Sequence, residues 1–320
     1  MNSTRKAIGG YLELETKPQK NYHHQDLLHL NTARNSFEYV LRARKYTHVY
    51  IPYFTCDVLL EPLQKLNIEY TFYDVDNKLE PIFDYNLLRK NEGFLLTNYF
   101  GIKSDYIRST ALLIKNLIVD NSQALFDAPI DGVDTFYSPR KFIGVADGGY
   151  LSTTLHLDLV FDDDHSWDRM THLLKRADLN AEAGYSDFKE NDAALERQPI
   201  RKMSALTSKI LKSVDYNSIR EIRRRNFDYL HRHLKSSNKI AIDIDFDTIP
   251  MIYPYRISNA IQVKKRLFEN KIFCATYWPN VFEWCKEKDN AYQLANEIIP
   301  LPLDQRYTRN EMIAVLNALT

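Results

Sequence analysis

The chain lacks the cysteines that a disulfide framework would need. Its 320 residues contain three, Cys56, Cys274 and Cys285. These are too few and too scattered for a set of disulfides or for a zinc site built on paired cysteines. Sparse cysteine is typical of a protein from a reducing compartment, so we expect a cytoplasmic protein.

Clear metal-binding patterns are lacking as well. The pair His23-His24 and the run of residues 162–165, which ends in His165, lack the helical i, i+4 spacing or the paired cysteines of common metal sites. We therefore expect no metal ion, and we interpret both stretches as surface loops.

An excess of charge of one sign is also absent. The chain has 42 Lys and Arg against 42 Asp and Glu, so its composition provides no long-range attraction to nucleic acid or to an anionic membrane. The basic stretch at residues 220–225 has helical spacing and is interpreted as a solvated helix face, with a phosphate-binding patch as the alternative.

The first residues lack the apolar core of a signal peptide. No apolar run approaches the length of a membrane span. We therefore expect neither a membrane nor nucleic acid as a partner.

From residue 27 onward, apolar residues alternate between helical and strand periods, which predicts an α/β fold with a largely parallel sheet flanked by helices. The predicted strands are 49–52, 70–75, 94–98, 116–120, 134–138, 150–154, 240–244 and 251–255. The predicted helices are 27–44, 57–66, 104–115, 167–175, 203–211, 219–234, 258–269 and 309–319. A composition break near residue 200 predicts a large domain over 1–200 and a smaller C-terminal α+β domain over 201–320.

One acid follows a predicted strand directly. Ligands of open α/β sheets bind at the carboxyl ends of the strands, and Asp120 lies at such an end. A buried carboxylate there needs a cation, which the pyridinium nitrogen of pyridoxal phosphate would supply. Gln123 is expected to reach the phenolic oxygen of the same ring, with a side chain that faces the loop as the alternative. The alternative for Asp120 is an ordinary cap or turn residue.

A lysine lies on the turn between the next two predicted strands. Lys141 follows Ser138, and Gly148-Gly149 supplies the backbone freedom for the reversal. A lysine held in such a turn can bond to the cofactor, and the Ser138 hydroxyl can contact its phosphate. The alternative for Lys141 is a solvated turn residue.

The first helix begins with small and hydroxyl residues, Thr32 and Ala33. Free N–H groups at a helix N-terminus form a natural phosphate cradle, although plain capping explains the same residues. Helix N-terminus, strand-end acid and turn lysine follow each other in the order that a fold-type I pyridoxal phosphate enzyme uses.

With these residues the chain resembles the DegT/DnrJ/EryC1/StrS family of sugar aminotransferases. The resemblance runs through Ile8-Gly9-Gly10-Tyr11, Asn31-Thr32-Ala33, Ile51-Pro52-Tyr53-Phe54-Thr55, Asn98-Tyr99-Phe100-Gly101, Val119-Asp120-Asn121-Ser122-Gln123-Ala124, Ser138-Pro139-Arg140-Lys141, Asp147-Gly148-Gly149, Met203-Ser204-Ala205 and Leu301-Pro302-Leu303. It implies a homodimer with shared active sites and pyridoxal 5'-phosphate as the cofactor. It also implies transfer of an amino group, usually from glutamate, to a keto sugar carried on a nucleotide.

Carried over to this chain, the resemblance makes Lys141 the covalent cofactor residue and Asp120 the partner of the ring nitrogen. Thr32, Ala33 and Ser138 would hold the phosphate, and Gln123 would lie near the ring. The dehydratase branch of the family has histidine in place of that lysine, so Lys141 points to the transaminating branch.

Two stretches depart from the family pattern. Cys56 stands where the family often places an aromatic ring over the cofactor, which leaves Tyr53 or Phe54 as substitutes. Residues 198–202 replace a segment that brings a partner-subunit asparagine to the phosphate, so Arg201 or Lys202 would take its place or bind another anion.

Three residues are predicted to contact the substrate. These are Arg34 on the first helix and the aromatic pair Tyr277 and Trp278, for which core packing is the alternative. Two other functions stay open, namely a non-catalytic ligand-binding or regulatory dimer and a different pyridoxal reaction on a substrate without a nucleotide.

Overall fold

The structure is a computed structural model that describes residues 8–20 and 22–319. Its main feature is an eight-stranded sheet with the strand order β1-β8-β7-β6-β5-β2-β3-β4. Its strands are β1 (Leu28–Leu30), β2 (His48–Pro52), β3 (Glu69–Val75), β4 (Pro81–Ile82), β5 (Glu92–Thr97), β6 (Leu117–Asn121), β7 (Asp134–Tyr137) and β8 (Gly149–Ser152). A second sheet pairs β9 (Tyr253–Arg256) with β10 (Ile298–Leu301).

Eleven α-helices in the described residues surround or follow these strands. They are α1 (Ala33–Arg44), α2 (Leu60–Lys65), α3 (Ser104–Ala111), α4 (Thr171–Asp178), α5 (Tyr185–Ala194), α6 (Ala205–Lys212), α7 (Tyr216–Leu234), α8 (Ala260–Glu269), α9 (Val281–Trp284), α10 (Asn290–Glu297) and α11 (Arg309–Leu319). Short 3₁₀ turns, including Pro139–Lys141, connect several elements.

The five central strands β3, β2, β5, β6 and β7 are parallel, whereas β8, β1 and β4 add antiparallel pairings towards the edges. Parallel strands covered by helices on both faces need apolar side chains in both directions. The run Leu117, Ile118, Val119 in β6 meets this need. The predicted α/β class with a largely parallel sheet is confirmed.

The two faces of the sheet pack against different helices. Ile118 joins the apolar cluster that contains Phe37 and Val40 of α1. Val119 joins the cluster on the opposite face, which contains Ile107 of α3. Because side chains alternate along a strand, Asp120 emerges on the α1 face.

A third apolar cluster lies entirely in the C-terminal part of the chain. It joins α7, α8 and α11 to the small sheet through residues such as Phe227, Ile299 and Met312. Trp278 and Leu294 pack instead into the main core on the α3 face of the large sheet. The domain boundary near residue 200 stays a prediction.

The structure corrects the predicted elements in two places. Residues 28–30 are not the start of the first helix but the edge strand β1, because they pair with Gly149–Leu151 of β8. Residues 240–244 form no strand, although Ile240 is buried in the core. The sequence analysis also assigned no element to residues 290–301, where the structure has α10 and β10.

Two predicted surface stretches are partly buried. His23 and His24 lie against the carbonyl oxygen of Leu125, so they are not a free loop. In the basic stretch 220–225, Arg223 is almost completely buried and donates to Gln305 and to the carbonyl of Met251. Burial lowers the pKa of Arg223 to about 10. Only part of that stretch is therefore a solvated helix face.

No helix in the described ranges combines the length and the apolar character that crossing a bilayer would demand. All three cysteines are free thiols. The residues that the structure describes contain no group of three or more His, Cys, Asp or Glu side chains placed to hold a metal ion.

Candidate active site

Asp120 lies at the carboxyl end of β6, in register with Thr97 of β5 and Phe136 of β7. It is 7% exposed, and its Oδ1 accepts a hydrogen bond from the Ser122 backbone N–H at 2.8 Å. Within the described part of the chain, no cationic side chain forms a salt bridge with it. Burial consequently raises the pKa of Asp120 above the ordinary value. The carboxylate is thus a buried acid that lacks a paired cation.

Lys141 ends the 3₁₀ turn that follows β7. Its side chain is exposed and takes part in no ion pair with the residues described, whereas its neighbour Arg140 is bound to Asp192 at 2.5 Å. The positive charge of Lys141 lies near enough to lower the pKa of Asp120, against the larger effect of burial. The two side chains are therefore close enough for their charges to interact, and the space around them is the predicted cofactor site.

Cys56 and Tyr277 border this space. Burial raises the pKa of the Cys56 thiol to about 11, and the charge of Lys141 opposes that rise. Burial also raises the pKa of the Tyr277 phenol to about 12, with smaller contributions from Cys274 and Cys56. The Cys56 thiol is therefore close enough to Lys141 and to Tyr277 for their charges to interact.

Gln123 is completely buried in the turn after β6. Its Oε1 accepts from the Phe100 backbone N–H at 2.7 Å, which fixes the orientation of the amide. The Nε2 of the same amide is buried without a hydrogen-bond partner in the described residues. An unpaired buried donor costs free energy, so this N–H₂ is suited to an acceptor that the chain itself does not provide.

The N-terminus of α1 lies against the glycines before β8. Thr32 caps the helix, since its hydroxyl accepts from the Asn35 N–H at 3.0 Å. A Cβ added to Gly149 would lie only 2.4 Å from the Thr32 carbonyl and 2.6 Å from the Ala33 nitrogen. Only glycine allows this approach, which leaves the first N–H groups of the helix close to the sheet edge.

Gly148 brings the helix and the lysine turn together. On one side, Gly148 forms an isolated parallel β-bridge with Thr32. On the other side, a Cβ at Gly148 would lie 3.0 Å from the Pro139 ring. Ser138, directly before that proline, is buried, and its hydroxyl makes no capping hydrogen bond. The predicted phosphate residues thus share one region with Lys141.

The predicted substitutes for a stacking ring are engaged by protein rings. Tyr53 stacks on Phe72 with centroids 4.6 Å apart. Phe54 is completely buried and packs against Tyr99 and Trp278, at 5.3 and 5.0 Å. Both rings are therefore engaged in packing within the protein, and their contact with a cofactor stays a prediction.

The two remaining substrate candidates are also held by the protein. Arg34 Nη1 donates to Glu61 at 2.7 Å and to the Leu195 carbonyl at 3.0 Å. A substrate anion would reach it only by displacing Glu61. Trp278 is buried and packs against Phe54 and Tyr277. The structure therefore supports the alternative for this ring, which was core packing.

The segment at 198–203 lies beside the N-terminus of α1 of its own chain. Asn31 N donates to the Arg201 carbonyl at 2.9 Å, and Asn31 Nδ2 donates to the Pro199 carbonyl at 3.1 Å. Arg201 pairs with Asp164 at 3.4 Å. The exposed Lys202 therefore has the freer charge of the two basic residues near the predicted phosphate cradle.

Sequence reasoning missed two polar neighbours of Asp120. The Thr97 hydroxyl is buried without a hydrogen-bond partner in the described residues, and Asp120 contributes to the raised pKa of the buried Tyr99 phenol. A signal for Thr97 was present, because it is a polar residue at the carboxyl end of a predicted strand. Nothing in the sequence connected Tyr99 with the acid.

These features fit pyridoxal phosphate as a ligand. Among the described residues, Asp120 has no cationic partner and Gln123 Nε2 has no acceptor, and the close approach at Gly149 leaves a helix N-terminus open to an anion. The cofactor has a cationic ring nitrogen, an oxygen on the ring and a phosphate. Each of these groups would meet one of the unpaired groups of the site.

No protein-family model matches this chain, and neither does any curated protein sequence. Solved structures do resemble it. The sugar aminotransferase CalS13 from Micromonospora echinospora has a TM-score of 0.64 at 13% identity, covering 92% of this chain and 86% of its own. The putative sugar aminotransferase Spr1654 from Streptococcus pneumoniae, in its PLP form, has a TM-score of 0.63 at 14% identity, covering 92% and 87%.

A third structure is a DegT DnrJ EryC1 StrS aminotransferase from Brucella abortus. Its TM-score is 0.63 at 16% identity, and the match covers 92% of this chain and 84% of that one. At such low identity the likeness establishes the three-dimensional arrangement of the chain. It confirms, at the level of the fold, the resemblance that the motifs predicted: this chain has the fold of the sugar aminotransferases.

Proposed function

We propose that the protein is a pyridoxal phosphate-dependent aminotransferase that acts on a sugar-like ketone. The observation that carries this proposal is the pairing of a buried, unpaired Asp120 with an unpaired Lys141 whose charge acts on it. Lysine and acid are the two groups that such an enzyme needs at opposite ends of its cofactor.

Asp120 would hold the protonated ring nitrogen. Bound pyridoxal phosphate supplies a cationic ring that accepts electrons from the substrate carbon during amino transfer. Asp120 keeps the ring nitrogen protonated because its carboxylate is buried and has no other cation to neutralise it. Ser122 fixes the orientation of this carboxylate through its backbone N–H.

Lys141 would provide the amine that bonds to the cofactor and later moves a proton at the substrate carbon. Its turn follows β7 directly, so the rigid sheet fixes the backbone from which the Lys141 side chain extends. The neighbouring Arg140 is held by Asp192, which keeps a second cation away from the reacting amine.

The phosphate would bind at the N-terminus of α1, where Thr32 and Ala33 offer backbone N–H groups and Ser138 offers a hydroxyl. Gln123 Nε2 would donate to the ring oxygen. Cys56 and Tyr277 are close enough for their charges to interact, as are Cys56 and Lys141. We propose that Tyr277 faces the substrate, because its partly buried side chain is near Cys56.

The finer parts of the proposal rest on the resemblance to sugar aminotransferases. They are glutamate as the amino donor, a nucleotide-linked keto sugar as the acceptor, a cytoplasmic homodimer with shared active sites, and a division into a large and a small domain near residue 200.

The half-reaction with single amino acids tests the proposal. Purified protein is loaded with pyridoxal phosphate and mixed with glutamate, glutamine, alanine or aspartate, while absorbance follows conversion to the pyridoxamine form. We expect conversion with at least one donor, and we expect Lys141→Ala to show none. Lys115→Ala, a change in the loop before β6 and away from the site, is the matched control.

Cofactor binding without conversion by any donor would contradict amino transfer and favour a non-catalytic binding protein. The replacement of a stacking aromatic by Cys56 is what motivates that second function. Conversion without transfer to any keto sugar, but with racemisation of the donor, would indicate a different pyridoxal reaction.

A further inference from the structure

A cavity lies where α3 and α7 approach the loop after β6. It has a volume of about 370 Å³ and is bordered by α3, by the loop after β6, by the start of α7 and by the loop 247–249. None of the residues assigned to the cofactor lines it. Its size is within the range of small-molecule sites, about 300–1,000 Å³.

Arg220 of α7 supplies the uncommitted positive charge of this cavity. Its guanidinium lies over the Phe126 ring, 5.5 Å from the centroid, which holds it at the wall. It forms no salt bridge with any carboxylate of the residues described. The other cavity arginine, Arg108, is in contrast bound to Asp105 and to Asp127.

His23 and His24 line the same cavity as neutral rings. Both Nε2 atoms lie 2.7 Å from the carbonyl oxygen of Leu125, an acceptor, so Nε2 carries the hydrogen in each ring. Each Nδ1 then has a free lone pair and accepts hydrogen bonds. Burial lowers the pKa of both rings, that of His24 to about 3. The histidines therefore offer acceptors, and Arg220 offers the charge.

The two aspartates that line the cavity, Asp127 and Asp247, do not form a salt bridge with Arg220 in the residues described. Asp127 is engaged by Arg108 and by Asn98. Asp247 is exposed at the rim and forms no salt bridge with the described residues. The Arg220 guanidinium can bind an anion, and the two histidine rings beside it can accept hydrogen bonds from hydroxyl groups. This combination suits an anion that also carries several hydroxyl groups.

We propose that this cavity binds a small polyhydroxy compound with one phosphate or carboxylate group, with Arg220 contacting the anion and His23 and His24 accepting from hydroxyls. This site is separate from the proposed cofactor site and goes beyond the proposed aminotransferase activity. Sugar phosphates and sugar acids share the required chemistry.

Calorimetric titration of the cofactor-loaded protein tests this site. The probes are glucose 6-phosphate, gluconate and neutral glucose, so that the first two separate a phosphate from a carboxylate source. We expect one of the anions to bind at least tenfold more tightly than glucose. Arg220→Gln should weaken that binding at least tenfold. The exposed Arg225 lies on the same helix, and Arg225→Gln should change it less than twofold.

A second variant keeps the test independent of folding defects. Asp247→Asn removes a rim carboxylate at an exposed position, so it should strengthen anion binding. Equal binding by Arg220→Gln and Arg225→Gln, or no binding of either anion to the unmodified protein, would overturn the proposal. Loss of binding in Ser138→Ala but not in Arg220→Gln would also overturn it, since the anion would then occupy the predicted cofactor cradle.

Discussion

Asp120 and Asp147 are two buried acids beside the lysine turn, and their surroundings differ sharply. Asp147 is 0% exposed and accepts hydrogen bonds from the Ser204 N–H at 2.8 Å, the Ser204 hydroxyl at 2.7 Å and the Thr207 hydroxyl. It thereby anchors the first turn of α6 to the turn before β8. Among the residues that the structure describes, Asp120 accepts a hydrogen bond only from Ser122, and burial raises its pKa.

The difference indicates a structural role for Asp147 and a ligand-binding role for Asp120. Three donors from the chain bind Asp147, so this carboxyl group has its hydrogen-bond partners without any external ligand. Asp120 has fewer donors and no paired cation, so its ionised form is costly until a cation arrives. Both acids lie in family-like motifs, and the sequence alone does not separate these roles.

The same change at both acids should have opposite effects, and the largest is expected at Asp120. Asp120→Asn should lower kcat by about 10²–10³-fold, because it removes preorganised electrostatic stabilisation of a charged ring. Its free energy of unfolding should be equal to or above that of the unmodified protein. Steady-state kinetics and urea unfolding measure the two quantities, and a large loss of stability would contradict the comparison.

Gly149→Ala should weaken the cofactor site that contains Asp120, because it displaces the backbone at the N-terminus of α1. The added Cβ would lie 2.4 Å from Thr32, so α1 must shift. We expect a loss of about 1–3 kcal/mol of stability and weaker cofactor binding, measured by unfolding and by cofactor titration. Gly144→Ala is the control, since its Cβ would meet Leu173 at an ordinary 3.5 Å. Unchanged cofactor affinity in Gly149→Ala would remove α1 from the phosphate site.

Asp147→Asn should affect stability and leave the chemistry nearly intact. The new amide N–H₂ can no longer accept from the donors of Ser204 and Thr207. A donor left unpaired in the core costs about 1–3 kcal/mol, so thermal or urea unfolding should show a loss of that size. Under conditions where the variant is folded, kcat should stay within about threefold, against the far larger fall for Asp120→Asn. A kcat as low as that of Asp120→Asn would contradict the purely structural role assigned to Asp147.

The smallest expected effect is a pH dependence of the protein without cofactor. A carboxyl group whose pKa is raised in the folded state binds more protons there than in the unfolded state. Its contribution therefore becomes more destabilising as pH rises from about 4, the unfolded value, through the raised pKa. Unfolding titrations from pH 4 to pH 8 should show Asp120→Asn gaining stability relative to the unmodified protein. The opposite slope would mean that the folded protein stabilises the charged carboxylate.

The sequence predicted the parts of the site that depend on local order along the chain. Asp120 and Lys141 were predicted as site residues because strand ends and tight turns have clear sequence signals, and the structure places Asp120 at the end of β6 and Lys141 in the turn after β7. The central strands were predicted for the same reason, since buried parallel strands read as apolar runs. The fold-level resemblance followed from the same ordered motifs.

What the sequence did not predict depends on partners that are distant along the chain. Residues 28–30 have a helical pattern but become β1 because β8 and the segment at 202–203 pair with them. Arg34 was read as a substrate residue, yet Glu61 engages it. His23 and His24 lie against Leu125, about 100 residues away. Contacts between residues that are distant along the chain cannot be predicted from the local sequence pattern around either residue.

Chemical trapping tests the central claim most directly, namely that residue 141 carries the cofactor opposite Asp120. The protein is incubated with pyridoxal phosphate and reduced with borohydride, and its peptides are then mapped by mass spectrometry. The account predicts one modified peptide with the added mass on Lys141, and weaker labelling of Lys141 in Asp120→Asn. A mass on another lysine, or no labelled peptide under conditions where the protein is folded, would contradict it.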